Sequence, residues 1–269
     1  MRVLIVGAGA LGGLYGALLA RAGHEVTVLA RGAAVDTLRA NGLTLESAKF
    51  GSFSAPVTVI EDPAEAGETD LIFFAVKAYD LESTARQIAP LVREGVTVLT
   101  IQNGVEHPQK LANILGEAAV LPGVVIVSAT VQTPGVVTHA GGPALIQLGD
   151  TGTPHPERLE RVADVFRSTG APVEIYPDIR PKLWTKFALI CAMSGMSALT
   201  RLTIAQIFAV QPTRQCYRAV MDEAGKGAGA RGVGLPVDTA DTIMTNIEAQ
   251  NLLNTRGSMA HETMAGRRI

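Results

Sequence analysis

Apolar and polar positions follow two different spacings along this chain of 269 residues. In the first two thirds, short apolar runs bounded by polar or turn residues alternate with stretches in which apolar residues recur every three or four positions. This alternation predicts parallel strands joined by helices, the pattern of an α/β domain with a doubly wound sheet. The predicted strands cover residues 3–6, 25–30, 57–60, 71–76, 96–101 and 119–131.

The pattern changes after residue 135. Apolar runs at 136–140 and 144–148 flank Gly141-Gly142, which predicts an antiparallel hairpin, and residues 172–176 predict one more strand. From Asp178 onward the strand signals vanish. We therefore predict an α/β domain over residues 1–178 and an all-helical domain over residues 179–269. The predicted helices of the second domain cover residues 181–200, 203–210, 212–231 and 236–254.

The first predicted strand leads directly into Gly7-Ala8-Gly9-Ala10-Leu11-Gly12, and a helical spacing begins at once. A strand, a glycine turn and a helix in this order form the context that a dinucleotide fingerprint requires. The first glycine permits the tight turn, the second lets the backbone approach a pyrophosphate, and the third lets helix and strand pack closely. The free N–H groups at the helix N-terminus then favour the negative charge. We predict a Rossmann-type domain that binds a dinucleotide.

Three polar residues stand at the carboxyl ends of predicted strands, where open α/β sheets bind their ligands. Arg31 follows the second strand, where an acidic residue would favour NAD; its guanidinium suits a 2′-phosphate, so we predict NADP(H). Lys77 follows the strand at 71–76 and is predicted to contact the cofactor. Asn103 lies in Gln102-Asn103-Gly104 and is predicted to place its amide near the nicotinamide. The alternatives are a solvated loop arginine, a strand-end lysine in water and an Asn-Gly turn.

The composition of the chain argues against several classes of protein, namely nucleic-acid-binding, membrane and metal-binding proteins. The formal net charge of −2 gives no general attraction to nucleic acid or to an anionic membrane. The most apolar runs, at 118–131 and 187–199, are shorter than the roughly 20 residues that span a bilayer. Cys191 and Cys216 fit no metal spacing, and the five histidines are scattered, so we predict no metal site. These features favour a soluble protein of the cytoplasm, a reducing compartment.

One lysine has the surroundings of an acid–base catalyst. Lys186 lies early in the predicted helix 181–200, next to the chain's only tryptophan, Trp184, and before a long uncharged stretch. Apolar neighbours disfavour the charged form of a lysine and bring its pKa toward the range useful for proton transfer. The alternative is a lysine whose ammonium reaches past the helix end into water.

Five motifs extend over nearly the whole chain: Gly7–Gly12, Ala75–Ala78, Gln102–Gly104, Leu183–Lys186 and Gly257–Met259. These motifs and their order closely resemble those of the ketopantoate reductase family. The resemblance implies a Rossmann domain and a helical domain with the active site in the cleft between them. It also implies the NADPH-dependent reduction of 2-dehydropantoate, a 2-oxo acid, to D-pantoate in pantothenate biosynthesis.

The resemblance also implies roles for individual residues. Lys186 matches the catalytic lysine, which donates a proton to the carbonyl oxygen of the substrate as hydride arrives at the carbon. Asn103 matches an asparagine that contacts both nicotinamide and substrate, and Ser258 matches a serine that binds the substrate carboxylate. Lys77 and Arg31 match cofactor-binding positions. The apolar helical half is compatible with a homodimer.

Departures from the family pattern leave the substrate open. Family members that form pantoate usually carry asparagines four and eight positions after the lysine, followed by proline. This chain has Ile190, Ser194 and Gly195 there. Ser194 is expected to face the substrate, but an isoleucine cannot donate to a polar group, which reduces discrimination. The family's assisting acidic residue would follow Ile269, so we expect a C-terminal segment beyond it.

Three alternatives to pantoate formation therefore stay open. The first is a related reductase that acts on another carbonyl acid. The second is a non-catalytic NADP(H)-binding sensor or scaffold. The third is an enzyme of the same two-domain layout that acts on a 3-hydroxy acid or a polyol phosphate.

Overall fold

The computed structural model describes residues 1–152, 155–249 and 252–269. Within these residues the chain divides into two compact units. The first unit comprises Met1–Gln102 and Glu106–Ile179, and the second comprises Asn103–Val105 and Arg180–Ile269. The first contains every described strand, and the second is helical. An α/β unit followed by a helical unit confirms the predicted fold class.

The first unit contains ten strands and five α-helices among its described residues. The strands are β1 Arg2–Val6, β2 Glu25–Leu29, β3 Leu43–Ser47, β4 Phe53–Ala55, β5 Thr58–Ile60, β6 Leu71–Phe74, β7 Thr97–Thr100, β8 Val120–Thr133, β9 Val136–Gly149 and β10 Val173–Tyr176. The helices are α1 Ala10–Arg21, α2 Ala34–Asn41, α3 Leu81–Ile88, α4 His107–Leu115 and α5 Pro156–Arg167.

Six neighbouring strands are parallel, in the order β5-β2-β1-β6-β7-β8. The chain starts in the middle, at β1, runs outward to β2 and β5, and then returns to run outward through β6, β7 and β8. This reversal places the ends of β1, β2 and β6 at the point where doubly wound sheets bind ligands. The sheet continues beyond β8 through β9, β3 and β4, with β10 also paired to β9.

The predicted hairpin around Gly141-Gly142 is wrong. Both of its arms belong to the single long strand β9, which pairs antiparallel with β8 along its length. The turn between these strands lies at Pro134-Gly135, where Gly135 has a φ of 80°. Gly141 and Gly142 lie where the register with β8 shifts, so they form an irregularity within a strand. Glycine pairs mark both turns and bulges, and the sequence pattern does not separate the two.

The central strands are buried on both faces, which explains their continuous apolar runs. On one face, Tyr15 of α1, Phe73 of β6 and Phe166 of α5 form a group of rings with centroids 5.4–5.9 Å apart. On the other face, Phe74 of β6 packs in a separate cluster with Leu81 of α3 and residues of α4. Helices therefore cover both faces and fix the strand ends that carry the candidate site.

The second unit contains five α-helices in its described residues: α6 Arg180–Thr200, α7 Ile204–Phe208, α8 Gln211–Ala230, α9 Thr239–Ala249 and α10 Ser258–Met264. The predicted helix 236–254 is shorter in the structure, and its residues 250 and 251 lie outside the described residues. The core of this unit includes Ala192, Ile207, Tyr217 and Ile243. A small residue on α8, Gly227, lets this helix approach α6 closely, because a Cβ there would lie 3.4 Å from the ring of Trp184.

Among the described residues, only α6 is long and apolar enough to cross a membrane, by length and composition alone. It spans 21 residues, longer than the apolar run at 187–199. A helix in the core of a soluble protein meets the same criterion, so the observation is weak evidence for a membrane segment.

Candidate functional site

The glycine turn after β1 has no room for side chains at two of its positions. Gly7 has a φ of 103°, and a Cβ there would lie 2.9 Å from the carbonyl carbon of Ala75. A Cβ on Gly12 would lie 1.9 Å from the carbonyl oxygen of Gly7 and 3.0 Å from Ile5. The first glycine therefore permits the turn against the end of β6, and the last permits close packing of α1 on β1.

Gly9 has a different environment, because a Cβ at this position would meet nothing within 4 Å. It is the N-cap residue of α1, whose first turn holds no acidic residue and no side-chain cap. The N–H groups of the first helical turn thus have no side-chain cap, and the space beside Gly9 is open. A pyrophosphate needs these two features, donors and close access to the backbone, so the residues fit a dinucleotide.

Arg31 and Lys77 flank this turn within the first unit. Because β2, β1 and β6 are adjacent and parallel, their carboxyl ends meet at one edge. The structure thus brings the glycine turn, Arg31 and Lys77 to the same edge of the sheet. Both side chains belong to exposed residues, and an Arg31 Nη2 donates to Asp80 Oδ2 at 2.6 Å. The sequence analysis gave no role to Asp80. Its position three residues after Lys77 was the one feature that could have indicated a place near the cofactor.

A buried hydrogen-bond network fixes the end of β7 against the end of β6. Gln102 Nε2 donates to the carbonyl oxygens of Phe74, at 2.8 Å, and Val76, at 3.2 Å. The hydroxyl of Thr100 donates to the amide oxygen of Gln102 and lies 2.9 Å from Nδ1 of His107. Gln102 therefore holds the backbone that leads into Lys77. Sequence reasoning named Gln102 only as part of a motif and missed this structural role.

Asn103 follows Gln102 directly but groups with the second unit. Asn103 is exposed, whereas Gln102 is buried, with 7% of its surface accessible. Gly104 has a φ of 110°, so the chain turns immediately after Asn103. The asparagine amide is therefore accessible at the end of a strand that the Gln102 network holds in place.

In the second unit, Lys186 lies on α6, and its residue is partly buried. Desolvation lowers the pKa of its ammonium from 10.5 to about 8. The neighbouring Trp184 and Phe187 rings pack edge to face, with centroids 5.6 Å apart. At this pKa, Lys186 is largely protonated near neutral pH and releases its proton more readily than an ordinary lysine.

Ser194 lies on α6 two turns beyond Lys186, and it supports α10. A Cβ on Gly257 would lie 2.6 Å from Ser194 Oγ and 2.7 Å from Ser194 Cα. Ser194 is 2% exposed, and its Oγ has no hydrogen-bond partner among the described residues. The backbone N–H of Gly257 donates to Ser197 Oγ at 3.0 Å. Ser194 thus faces Gly257, and this arrangement does not support the predicted direct contact with substrate.

Ser258 is exposed and begins α10 immediately after Gly257. The structure thus places Ser258 beside the Ser194 region of α6. Ile190 lies four residues after Lys186 and four before Ser194, on the same side of α6. Ile190 is partly exposed. It is therefore more accessible than the serine that follows it.

No group of three or more His, Cys, Asp or Glu residues that could hold a metal ion occurs in residues 1–152, 155–249 and 252–269. The expected absence of a metal stays a prediction.

Two family models match this arrangement of units. The model described as "Ketopantoate reductase PanE/ApbA" matches residues 3–152, and "Ketopantoate reductase PanE/ApbA C terminal" matches residues 178–269. The chain belongs to the ketopantoate reductase family. The predicted resemblance is thereby confirmed, and with it the assignment to oxidoreductases that act on CH–OH groups.

Individual relatives cover most of the chain. The 2-dehydropantoate 2-reductase of Archaeoglobus fulgidus is 32% identical over 99% of this chain and 86% of its own length. The structure of 2-dehydropantoate 2-reductase from Geobacter metallireducens is 31% identical, with a TM-score of 0.93 over 100% of this chain and 89% of that one. D-mandelate dehydrogenase with NADH shares the fold, at 20% identity and a TM-score of 0.89 over 100% of this chain and 87% of that one.

Proposed function

We propose that this protein reduces a 2-oxo acid to a 2-hydroxy acid with NADPH, and that its substrate is 2-dehydropantoate, which it converts to D-pantoate in pantothenate biosynthesis. The observation that carries the proposal is the lowered pKa of Lys186. Burial brings this pKa to about 8, in a chain that belongs to a family of reductases. Arg31 at the end of β2, where a residue that favours NAD would be acidic, supports NADPH as the cofactor.

The roles of the residues follow from the charges that the reaction creates. A reduced nicotinamide held at the Gly7–Gly12 turn would supply the hydride for the carbonyl carbon of the substrate. Negative charge then develops on the carbonyl oxygen, and the ammonium of Lys186 stabilises it and donates the proton that completes the hydroxyl group. Solvent reprotonates Lys186 after the product leaves. Near neutral pH the lysine is mostly protonated, which is the form that the reduction requires.

Ser258 and Asn103 are the proposed polar contacts for the substrate. Ser258 is exposed at the start of α10, so its hydroxyl and the first free N–H groups of the helix are available to a carboxylate. Asn103 offers an exposed amide beside the network of Gln102. Lys77 and the residues from Gly7 to Gly12 are proposed to bind the cofactor.

A second candidate function is the reduction of another, less polar 2-oxo acid. Ile190 lies on the same side of α6 as Lys186 and is partly exposed. Ser194 beyond it is turned toward Gly257, so neither residue presents a free polar group on the next two turns of the helix. An apolar side chain on the substrate would suit this surface better than the hydroxyl of 2-dehydropantoate.

The decisive experiment follows NADPH absorbance with 2-dehydropantoate and with a panel of 2-oxo acids whose side chains range from polar to aromatic. Turnover that is fastest with 2-dehydropantoate supports the first proposal, and a preference for an apolar acid supports the second. Tight NADPH binding without turnover of any acid would favour a sensor or scaffold instead. Lys186→Ala is the companion variant, expected to lose most turnover while its NADPH affinity stays near that of the wild type.

We also propose that the protein works in the cytoplasm and as a homodimer, as an apolar helical half would allow. Size measurement by light scattering tests the assembly: a monomer at micromolar concentration would reject the dimer. Fractionation of cells that express the full-length protein tests the location, and recovery in the membrane fraction would reject the cytoplasmic assignment.

A further inference from the structure

The ion pair between Arg31 and Asp80 places a carboxylate at the proposed cofactor-selecting position. Arg31 Nη2 and Asp80 Oδ2 lie 2.6 Å apart. The arginine side chain is 81% exposed and that of the aspartate 23% exposed. The two residues are 49 positions apart in sequence, since Arg31 follows β2 and Asp80 follows β6. The fold thus delivers an acidic residue to the end of β2 from a different loop.

This geometry combines two chemistries that usually exclude each other. An acidic side chain at the end of the second strand accepts hydrogen bonds from the ribose hydroxyls of NAD and repels a 2′-phosphate, whereas an arginine binds that phosphate. Here both groups stand together. The guanidinium of Arg31 has five N–H donors, and its ion pair with Asp80 uses only Nη2. Its other N–H groups can therefore donate to a phosphate.

We propose that Asp80 is a second cofactor-selecting residue. Its carboxylate accepts hydrogen bonds from the ribose hydroxyls of NADH and repels the 2′-phosphate of NADPH. The site then takes both dinucleotides, and Arg31 gives NADPH only a modest advantage. This inference rests on the proposed function in one respect, namely that the Gly7–Gly12 turn binds a nicotinamide dinucleotide.

Charge separation sets the size of the effect. A 2′-phosphate bound by the guanidinium would lie about 6 Å from the Asp80 carboxylate, because one guanidinium would separate them. Removing that negative charge at a surface position is expected to strengthen NADPH binding about tenfold. An asparagine keeps an acceptor oxygen but loses the charge assistance, so NADH binding is expected to weaken roughly threefold to tenfold. The two affinities therefore move in opposite directions.

The test measures dissociation constants of NADPH and NADH directly, by the fluorescence of the reduced nicotinamide, for the wild type and Asp80→Asn. Glu82→Gln is the matched control: it removes one negative charge two residues away, where Glu82 pairs with Arg86 and not with Arg31. The control should change neither constant, and the gain in NADPH affinity should shrink at high salt. Thermal melts confirm that each variant is folded at the temperature of the titration.

The outcomes separate this inference from the proposed function. Opposite shifts of the two constants in Asp80→Asn support the inference. Unchanged constants, or equal changes in both, overturn it. Weaker NADPH binding alone also overturns it, because Asp80 would then only orient Arg31. Since the titration needs no oxo acid, failure to find a substrate leaves this test intact, and turnover with unchanged constants would retain the reductase while rejecting the role of Asp80.

Discussion

Replacing Lys186 by methionine separates the free energy of burying its charge from its chemical role. Desolvation lowers the pKa of Lys186 from 10.5 to about 8, a difference that corresponds to about 3 kcal/mol against the charged form. Because the residue is only partly buried, we expect the realised gain from methionine to be about 1–3 kcal/mol in the free energy of unfolding at pH 7. The same variant should lose nearly all turnover. Greater stability with lost activity is the expected pair of results.

The stability gain should depend on pH in a defined way. Below pH 8 the lysine is charged in both the folded and unfolded states, so the wild type bears the full desolvation free energy and methionine gives its full benefit. Between pH 8 and 10.5 the unfolded state binds more protons than the folded state, and wild-type stability rises with pH. The advantage of methionine should therefore disappear as the pH approaches 10.5.

Urea unfolding of both proteins at pH 7 and at pH 10, with NADPH oxidation measured at pH 7, provides the assay. Lys226→Met on α8 is the matched control, because Lys226 is exposed in the same unit. It should change stability by less than about 0.5 kcal/mol and leave turnover intact. A Lys186→Met protein that is less stable than the wild type at pH 7 would refute the desolvation argument. Retained turnover would refute Lys186 as the acid.

Further predictions concern the pH dependence of turnover and substitutions at four positions. With Lys186 as the acid, kcat/KM for the reduction should fall about tenfold from pH 7 to pH 9, as a pH–rate profile would show; a flat profile would contradict the assignment. Gly9→Ala should melt like the wild type but lose dinucleotide affinity in a titration, because its Cβ enters open space where the pyrophosphate needs access. Gly12→Ala should lower the melting temperature, because its Cβ meets the carbonyl oxygen of Gly7. Gln102→Leu should cost about 1–3 kcal/mol in urea unfolding, because the carbonyl oxygens of Phe74 and Val76 lose the amide that donates to them; unchanged stability would show that water replaces it. Gly257→Ala should destabilise α10 against α6, detectable as faster hydrogen exchange in residues 258–264, because its Cβ meets Ser194.

The spacing of apolar residues was sufficient to predict the elements that bury continuous apolar faces. The predicted helix 181–200 corresponds to α6, Arg180–Thr200, and the predicted strand 119–131 corresponds to β8, Val120–Thr133. These elements follow local rules, since the spacing of apolar residues directly reflects the faces that an element buries. The glycine turn could also be predicted, because the positive φ of Gly7 and the close approach of Gly12 to Gly7 are local requirements.

Features that depend on distant partners were not readable in the same way. The long strand β9 was predicted as a hairpin because its glycine pair resembles a turn. In the structure the pair lies at a register shift with β8, and the local sequence does not identify that partner strand. Asp80 reaches Arg31 only because β2 and β6 both flank β1, which brings the ends of these two strands together. Ser194 was expected to face substrate, and only the position of Gly257 shows that it is covered.

The same distinction bears on where substrate choice resides. The motifs spread along the chain are those of the ketopantoate reductase family, which sets the fold and the reaction class. The two positions after Lys186 behave differently. Ser194 is committed to packing against Gly257, so substitutions there would disturb the seat of α10 before they altered recognition. Ile190 is partly exposed on the same side of α6 as Lys186. Discrimination between 2-dehydropantoate and a less polar 2-oxo acid should therefore depend on residue 190 more than on residue 194.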